Sequence, residues 1–153
     1  MSQTNSIAAA IQRLSSHIET VPVQFLSLPQ QTILQKPAPG KWSKQEILGH
    51  LVDSAINNLK RFTDTQCLPQ PYTVIRYKQD DLVVINNYQQ LPTEHIVALW
   101  VALNKQIVEV TQIIPEDKLA YSVITYDSGT KTLEWLIIDY VDHLEHHLKQ
   151  VFG

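Results

Sequence analysis

One cysteine, Cys67, stands among 153 residues. No intrachain disulfide and no cysteine zinc cluster can therefore form, and a metal in this chain has to be held by nitrogen and oxygen. Glycine is scarce, at four residues, too few for a sandwich or barrel that must turn often. No stretch approaches the ~20 apolar residues of a membrane span. The opening residues, Met1 to Ser6, carry neither a basic region nor an apolar run of signal length. No membrane association and a cytoplasmic location are expected. Basic side chains are also short: 12 lysines and arginines face 15 carboxylates, for a formal charge of −3. Without a basic cluster there is no electrostatic ground for nucleic-acid binding. Low-complexity tracts and repeats are absent as well. A chain of this length is expected to form a single domain over residues 1–153.

What is present is helical periodicity. Ile7, Ile11, Leu14 and Ile18 form one stripe of a first helix from about Asn5 to Val23. Pro22, Pro29 and Lys36-Pro-Ala-Pro-Gly40 then break the pattern. Residues 24–42 are expected to connect, with one short helical turn. Ser43-Lys-Gln-Glu46 reads as a capping box opening a second helix to about Cys67, with Leu48, Leu51, Ala55, Leu59 and Phe62 facing the core. In residues 72–90 the pattern is mixed, extended at Tyr72 to Tyr77 and helical at Asp80 to Tyr88. A third helix follows Pro92 to about Ile114 on the stripe Ile96, Leu99, Leu103, Ile107 and Val110. Tyr121 to Tyr126 with Asp127-Ser-Gly129 predicts a short hairpin. Thr132 is suited to cap the last helix, which carries Leu133, Leu136, Ile137, Tyr140, Leu144, Leu148 and Val151. The expected fold is all-α, a four-helix bundle with a short β-hairpin before the last helix.

At about 100° per residue, His143 and His147 fall beside Leu144, Leu148 and Ile137 on the bundle side of the last helix. His146 falls among Asp139, Asp142 and Lys149 on the polar face. Histidines four residues apart sit one pitch of about 5.4 Å apart and can share one ion. A third ligand should come from a facing helix, and the second helix offers His50 at the edge of its apolar stripe, near Glu46, Asp53, Ser54 and Asn57. Asp139, four residues before His143, reads equally as the acceptor of that ring's outer proton or as a solvated helix carboxylate. The competing reading is that a His-x-x-x-His spacing arises by chance or serves packing. Against it stands the cost of burying an unpartnered polar ring, about 1–3 kcal/mol per group. His17 and His95 have no partner at metal spacing, Cys67 reads as a small inert residue, and Trp42, Trp100 and Trp135 read as packing.

Taken in order, several segments resemble the DinB-like superfamily of metal-binding four-helix bundles and, within it, the YfiT-type metal-dependent hydrolases. They are Lys36-Pro-Ala-Pro-Gly-Lys-Trp-Ser43, Glu46-Ile-Leu-Gly-His-Leu-Val-Asp-Ser54 with Asn57, Arg61 and Phe62, Ala98-Leu-Trp100 with Asn104, and Asp142-His-Leu-Glu-His-His-Leu-Lys-Gln150. The resemblance implies the same ligand set, His50, His143 and His147. Leu82 stands where similar proteins often carry a tryptophan, a departure that bears on the substrate and not on the metal. The implied activities are metal-dependent hydrolysis, isomerisation, or S-transfer with a low-molecular-weight thiol such as bacillithiol or mycothiol.

Two function classes follow. The first is an enzyme that holds one divalent transition metal, zinc or nickel before iron or copper, and activates a water or thiol for a small-molecule substrate. Asp53, Asn57 and Arg61 would orient that substrate, and the sequence singles out no catalytic side chain. The second is a non-catalytic dimeric interaction module whose histidines are packing or vestigial. A homodimer is compatible with either.

Overall fold

The computed structural model describes residues 6–153. Four long helices make the body: α1 (Ile7–Leu26), α3 (Lys44–Cys67), α5 (Thr93–Gln112) and α7 (Leu133–Phe152). Three shorter ones, α2 (Gln30–Leu34), α4 (Gln79–Ile85) and α6 (Glu116–Leu119), lie in the connections. Both α1 and α3 pack on α5 and on α7, so the core lies where the four meet. Strands β2 (Ser122–Ile124) and β3 (Thr130–Thr132) pair antiparallel as the expected hairpin. β1 (Tyr72–Thr73) joins β2 in parallel, from a segment whose extended character was legible but whose partner was not. Among the described residues no helix is long and apolar enough to cross a membrane.

The first helix departs from its expected end. Asn5 lies outside the described residues; Ser6 caps the helix by accepting from the Ala9 amide at 3.1 Å. At the other end α1 runs on through Pro22 to Leu26. An interior proline costs a helix about 3 kcal/mol. Val21 and Phe25, buried one turn apart beside it, return about 1.5–3 kcal/mol each. Tertiary packing thus overrides the break.

α3 starts at the predicted box, with the Ser43 amide donating to Glu46 Oε1 and the Glu46 amide to Ser43 Oγ, each at 3.1 Å. Lys36 pairs with the same carboxylate at 3.0 Å and ties the proline-rich connector to the helix start. Every residue from Gln45 to Ala55 is buried, where an amphipathic stripe was expected. The polar ones are accommodated by partners from elsewhere: Gln45 donates to Tyr88 O and Leu91 O and accepts from Thr93. Gly49 faces the ring of Tyr88, and a Cβ there would stand 2.2 Å from Tyr88 Cγ. The close approach requires glycine.

On α5 the buried face is Ile96, Val97, Trp100, Ile107 and Val108, whereas Leu99, expected inside, is 36% exposed. Trp100 is completely buried and pulls the core face round to itself. All seven apolar residues expected to face the core on α7 are buried, and Thr132 accepts from the Trp135 amide at 3.1 Å as its cap.

Candidate metal centre

Helices α3 and α7 bring His50, His143 and His147 together. His50 is fully buried, and the two histidines of α7 are half-buried. The ring centroids lie 4.7 Å (His50 to His147), 5.6 Å (His50 to His143) and 4.6 Å (His143 to His147) apart. One ring nitrogen from each lies within 4.8 Å of the other two. Nitrogens bound tetrahedrally at 2.0–2.1 Å to one ion stand about 3.4 Å apart. The Nε2 atoms of His143 and His147, at 3.2 Å, already have that spacing.

The hydrogen bonds around the cluster are uneven. Neither ring nitrogen of His50 has a partner. Two orphaned nitrogens on a fully buried imidazole are costly unless something absent from the polypeptide satisfies one of them. His147 Nδ1 lies 2.9 Å from Gln150 Oε1; since a carbonyl oxygen only accepts, the proton sits on Nδ1 and the Nε2 lone pair faces the cluster. Gln150 is thus the outer partner of His147, a role expected of Asp139 toward His143. Asp139 is exposed and makes no hydrogen bond to His143.

All three rings are held neutral. Burial, and then the charges His147 and His143 would carry, push His50 down to about 3. Burial, then His147 and His146, lower His143 to about 4. His147 is lowered chiefly by burial, against the bond to Gln150. Neutral imidazole is the form that ligates a metal. In metal-free protein the unfolded chain takes up these protons from about pH 6.5, while the folded chain resists until about pH 4 and then 3. Keeping these rings unprotonated therefore costs nothing above pH 6.5, and the cost grows as the pH falls through that window. Melting in chelator should show the wild type losing stability relative to the His50, His143, His147 triple alanine variant between pH 6.5 and 4. A constant difference would contradict the burial assigned to these rings.

The other residues singled out in the sequence take different places. Asp53, one turn along α3 and buried, accepts from Tyr88 Oη at 2.6 Å and Asn86 Nδ2 at 2.9 Å; its other oxygen has no partner. Burial raises the Asp53 carboxyl, in part offset by those two bonds. Asn57 donates to Asp53 O within its own helix at 2.8 Å. Arg61 is buried, donating to Ile75 O at 2.8 Å, with its guanidinium 5.4 Å from the Tyr77 ring centroid. His17 pairs with Glu145 at 3.3 Å, and His95, His146 and Cys67 are exposed. Two residues near the cluster went unassigned in the sequence. Trp42, taken there only as packing, lies over His50 with centroids 4.9 Å apart; Tyr88 reaches Asp53 from beyond α4. The Trp-Ser pair before α3 was the signal for the first, and nothing local announced the second.

Beside His147 a recess of about 390 Å³ opens, lined by Trp42, Gln79, Asp80 and Gln150 among others. The model of the DinB superfamily matches residues 6–151. The chain belongs to the DinB superfamily. It is similar to YfiT from Bacillus subtilis, described as a probable metal-dependent hydrolase with an unusual four-helix bundle topology. That match has a TM-score of 0.86 at 17% identity, over 99% of this chain and 86% of YfiT. A variant of the mycothiol-dependent maleylpyruvate isomerase also matches, with a TM-score of 0.69 at 12% identity over 93% of this chain. The chain spans 59% of that isomerase. At these identities the likeness is one of fold. No curated protein sequence matches the chain.

Proposed function

We propose that this DinB superfamily member is a metal-dependent enzyme whose single divalent transition metal is held by His50, His143 and His147, and that it acts as a hydrolase or a low-molecular-weight-thiol S-transferase. The observation that carries the reading is the buried His50 ring, with both nitrogens unpartnered and a nitrogen within 4.8 Å of those of the half-buried α7 pair. The likeness to YfiT and to the mycothiol-dependent isomerase supports the choice of activities. Three imidazoles suit zinc, nickel, iron or copper, and zinc or nickel are proposed first.

A divalent ion in such a site supplies Lewis acidity and lowers the pKa of a water or thiol toward neutrality. The rest falls to the chain. Trp42 covers the His50 ring and keeps water from it. Gln150 fixes the His147 tautomer. The recess beside His147 is of a size for a small molecule. Metal-loaded protein is expected to turn over ester or thiol-acceptor substrates at a rate that His147→Ala reduces by more than about 100-fold, since loss of even an outer partner costs 10–100-fold. Absence of any metal-dependent turnover would remove the enzyme reading and favour the interaction module, whereas activity unchanged in His147→Ala would remove His147 from the metal site.

A further inference from the structure

Beside His143 lies a second recess of about 110 Å³ walled by Arg76, Tyr77, Gln79, Tyr126 and His143. Its side chains include a guanidinium, the Tyr126 phenol, a carboxamide and an imidazole, the Tyr77 hydroxyl being bonded to buried Ser54. Each can donate a hydrogen bond, and none is a carboxylate. Arg76 lies with its guanidinium carbon 5.3 Å from the Tyr126 ring centroid, which supports the cation through its face and leaves its N–H edges free. Among the described residues no carboxylate pairs with it. The segment is anchored from below, where buried Arg61 holds Ile75 O at 2.8 Å and backs the Tyr77 ring. Gln79 lines this recess and the larger one at His147, so the two meet at one side chain.

We propose that the recess at Arg76 is an anion subsite that takes a carboxylate of the substrate, which makes the substrate class small organic carboxylates. One guanidinium supplies one compensating charge in a planar fork, which matches a monoanionic carboxylate better than a phosphate dianion. A volume of about 110 Å³ admits a carboxylate with a carbon or two, water itself taking roughly 30 Å³. The remainder of the substrate then reaches the recess at His147 past the cluster. As a substrate subsite this rests on the enzyme reading above; as an anion site it stands without it.

The test is an amide NMR titration of metal-free, chelator-treated protein with sodium acetate, acetamide and inorganic phosphate at constant ionic strength. Acetate should produce saturable shifts at residues 76–79, 126 and 143, and acetamide none. Arg76→Ala, an exposed position whose loss leaves the core intact, should weaken acetate about tenfold or more, as expected for a charged hydrogen bond, with Arg76→Lys intermediate. Equal shifts from acetamide, or acetate binding indifferent to Arg76→Ala, would overturn the subsite. Phosphate binding more tightly than acetate would overturn the carboxylate assignment. With no transition metal in the sample, failure here leaves the metal reading untouched, and a protein that binds acetate but no transition metal would break only the link to the cluster.

Discussion

Gly49→Ala is expected to destabilise the protein by about 2–4 kcal/mol, although alanine is the better helix former. In an exposed helix the change would gain about 1 kcal/mol. Here the new methyl meets the Tyr88 ring at 2.2 Å, far inside contact distance. Overpacking of this kind costs about 1–3 kcal/mol. Moving Tyr88 aside also breaks its 2.6 Å bond to Asp53, which as a bond to a carboxylate contributes about 1.5–3 kcal/mol more. For a chain of this size the loss lowers Tm by roughly 5–15 °C. Tyr88→Leu in the same background should recover part of it, since the pair is in contact and the effects are not additive. A Gly49→Ala variant as stable as the wild type would show that Tyr88 does not pack against this backbone.

His50→Leu is expected to invert the order of stabilities between chelator and metal. In chelator the wild type buries an imidazole with two unpartnered nitrogens, and replacing such a ring by an apolar group removes about 1–2 kcal/mol of that penalty. The variant should then melt several degrees higher. With metal at 100 times its dissociation constant the wild type gains about 2.7 kcal/mol by mass action, and the variant, short of one ligand, gains almost nothing. Melting curves in chelator and in excess zinc or nickel read both arms. A variant less stable than wild type in chelator would mean that His50 is a packing residue whose shape matters more than its nitrogens.

The bundle was legible because its signals are local and redundant. The Ser43–Glu46 box, the Thr132 cap and the stripe of α7 each state one element in a few adjacent residues, and the structure has them where the periodicity put them. The pairing of His143 with His147 was legible for the same reason, since helical spacing alone brings them within 3.2 Å. That His50 would meet them depended on which helices pack together; here the motif order and the resemblance supplied what periodicity lacks. What stayed hidden is non-local. Helix α1 passes through Pro22 because Val21 and Phe25 are buried by other helices, and the face of α5 is turned by Trp100. Tyr88 reaches Asp53 across 35 residues of chain, and no pattern around either residue foretells it. Spacing alone places Asp139 four residues before His143 and Gln150 three after His147 alike within reach; rotamers decide which contact forms, and the bond seen is the one from His147 to Gln150.

The central claim is that the three histidines hold one metal. Elemental mass spectrometry of untagged protein, beside the variant with His50, His143 and His147 all changed to alanine, tests it most directly. Near-stoichiometric zinc or nickel in the wild type and none in the variant is the result predicted. Negligible metal in both, after incubation with either ion, would contradict it.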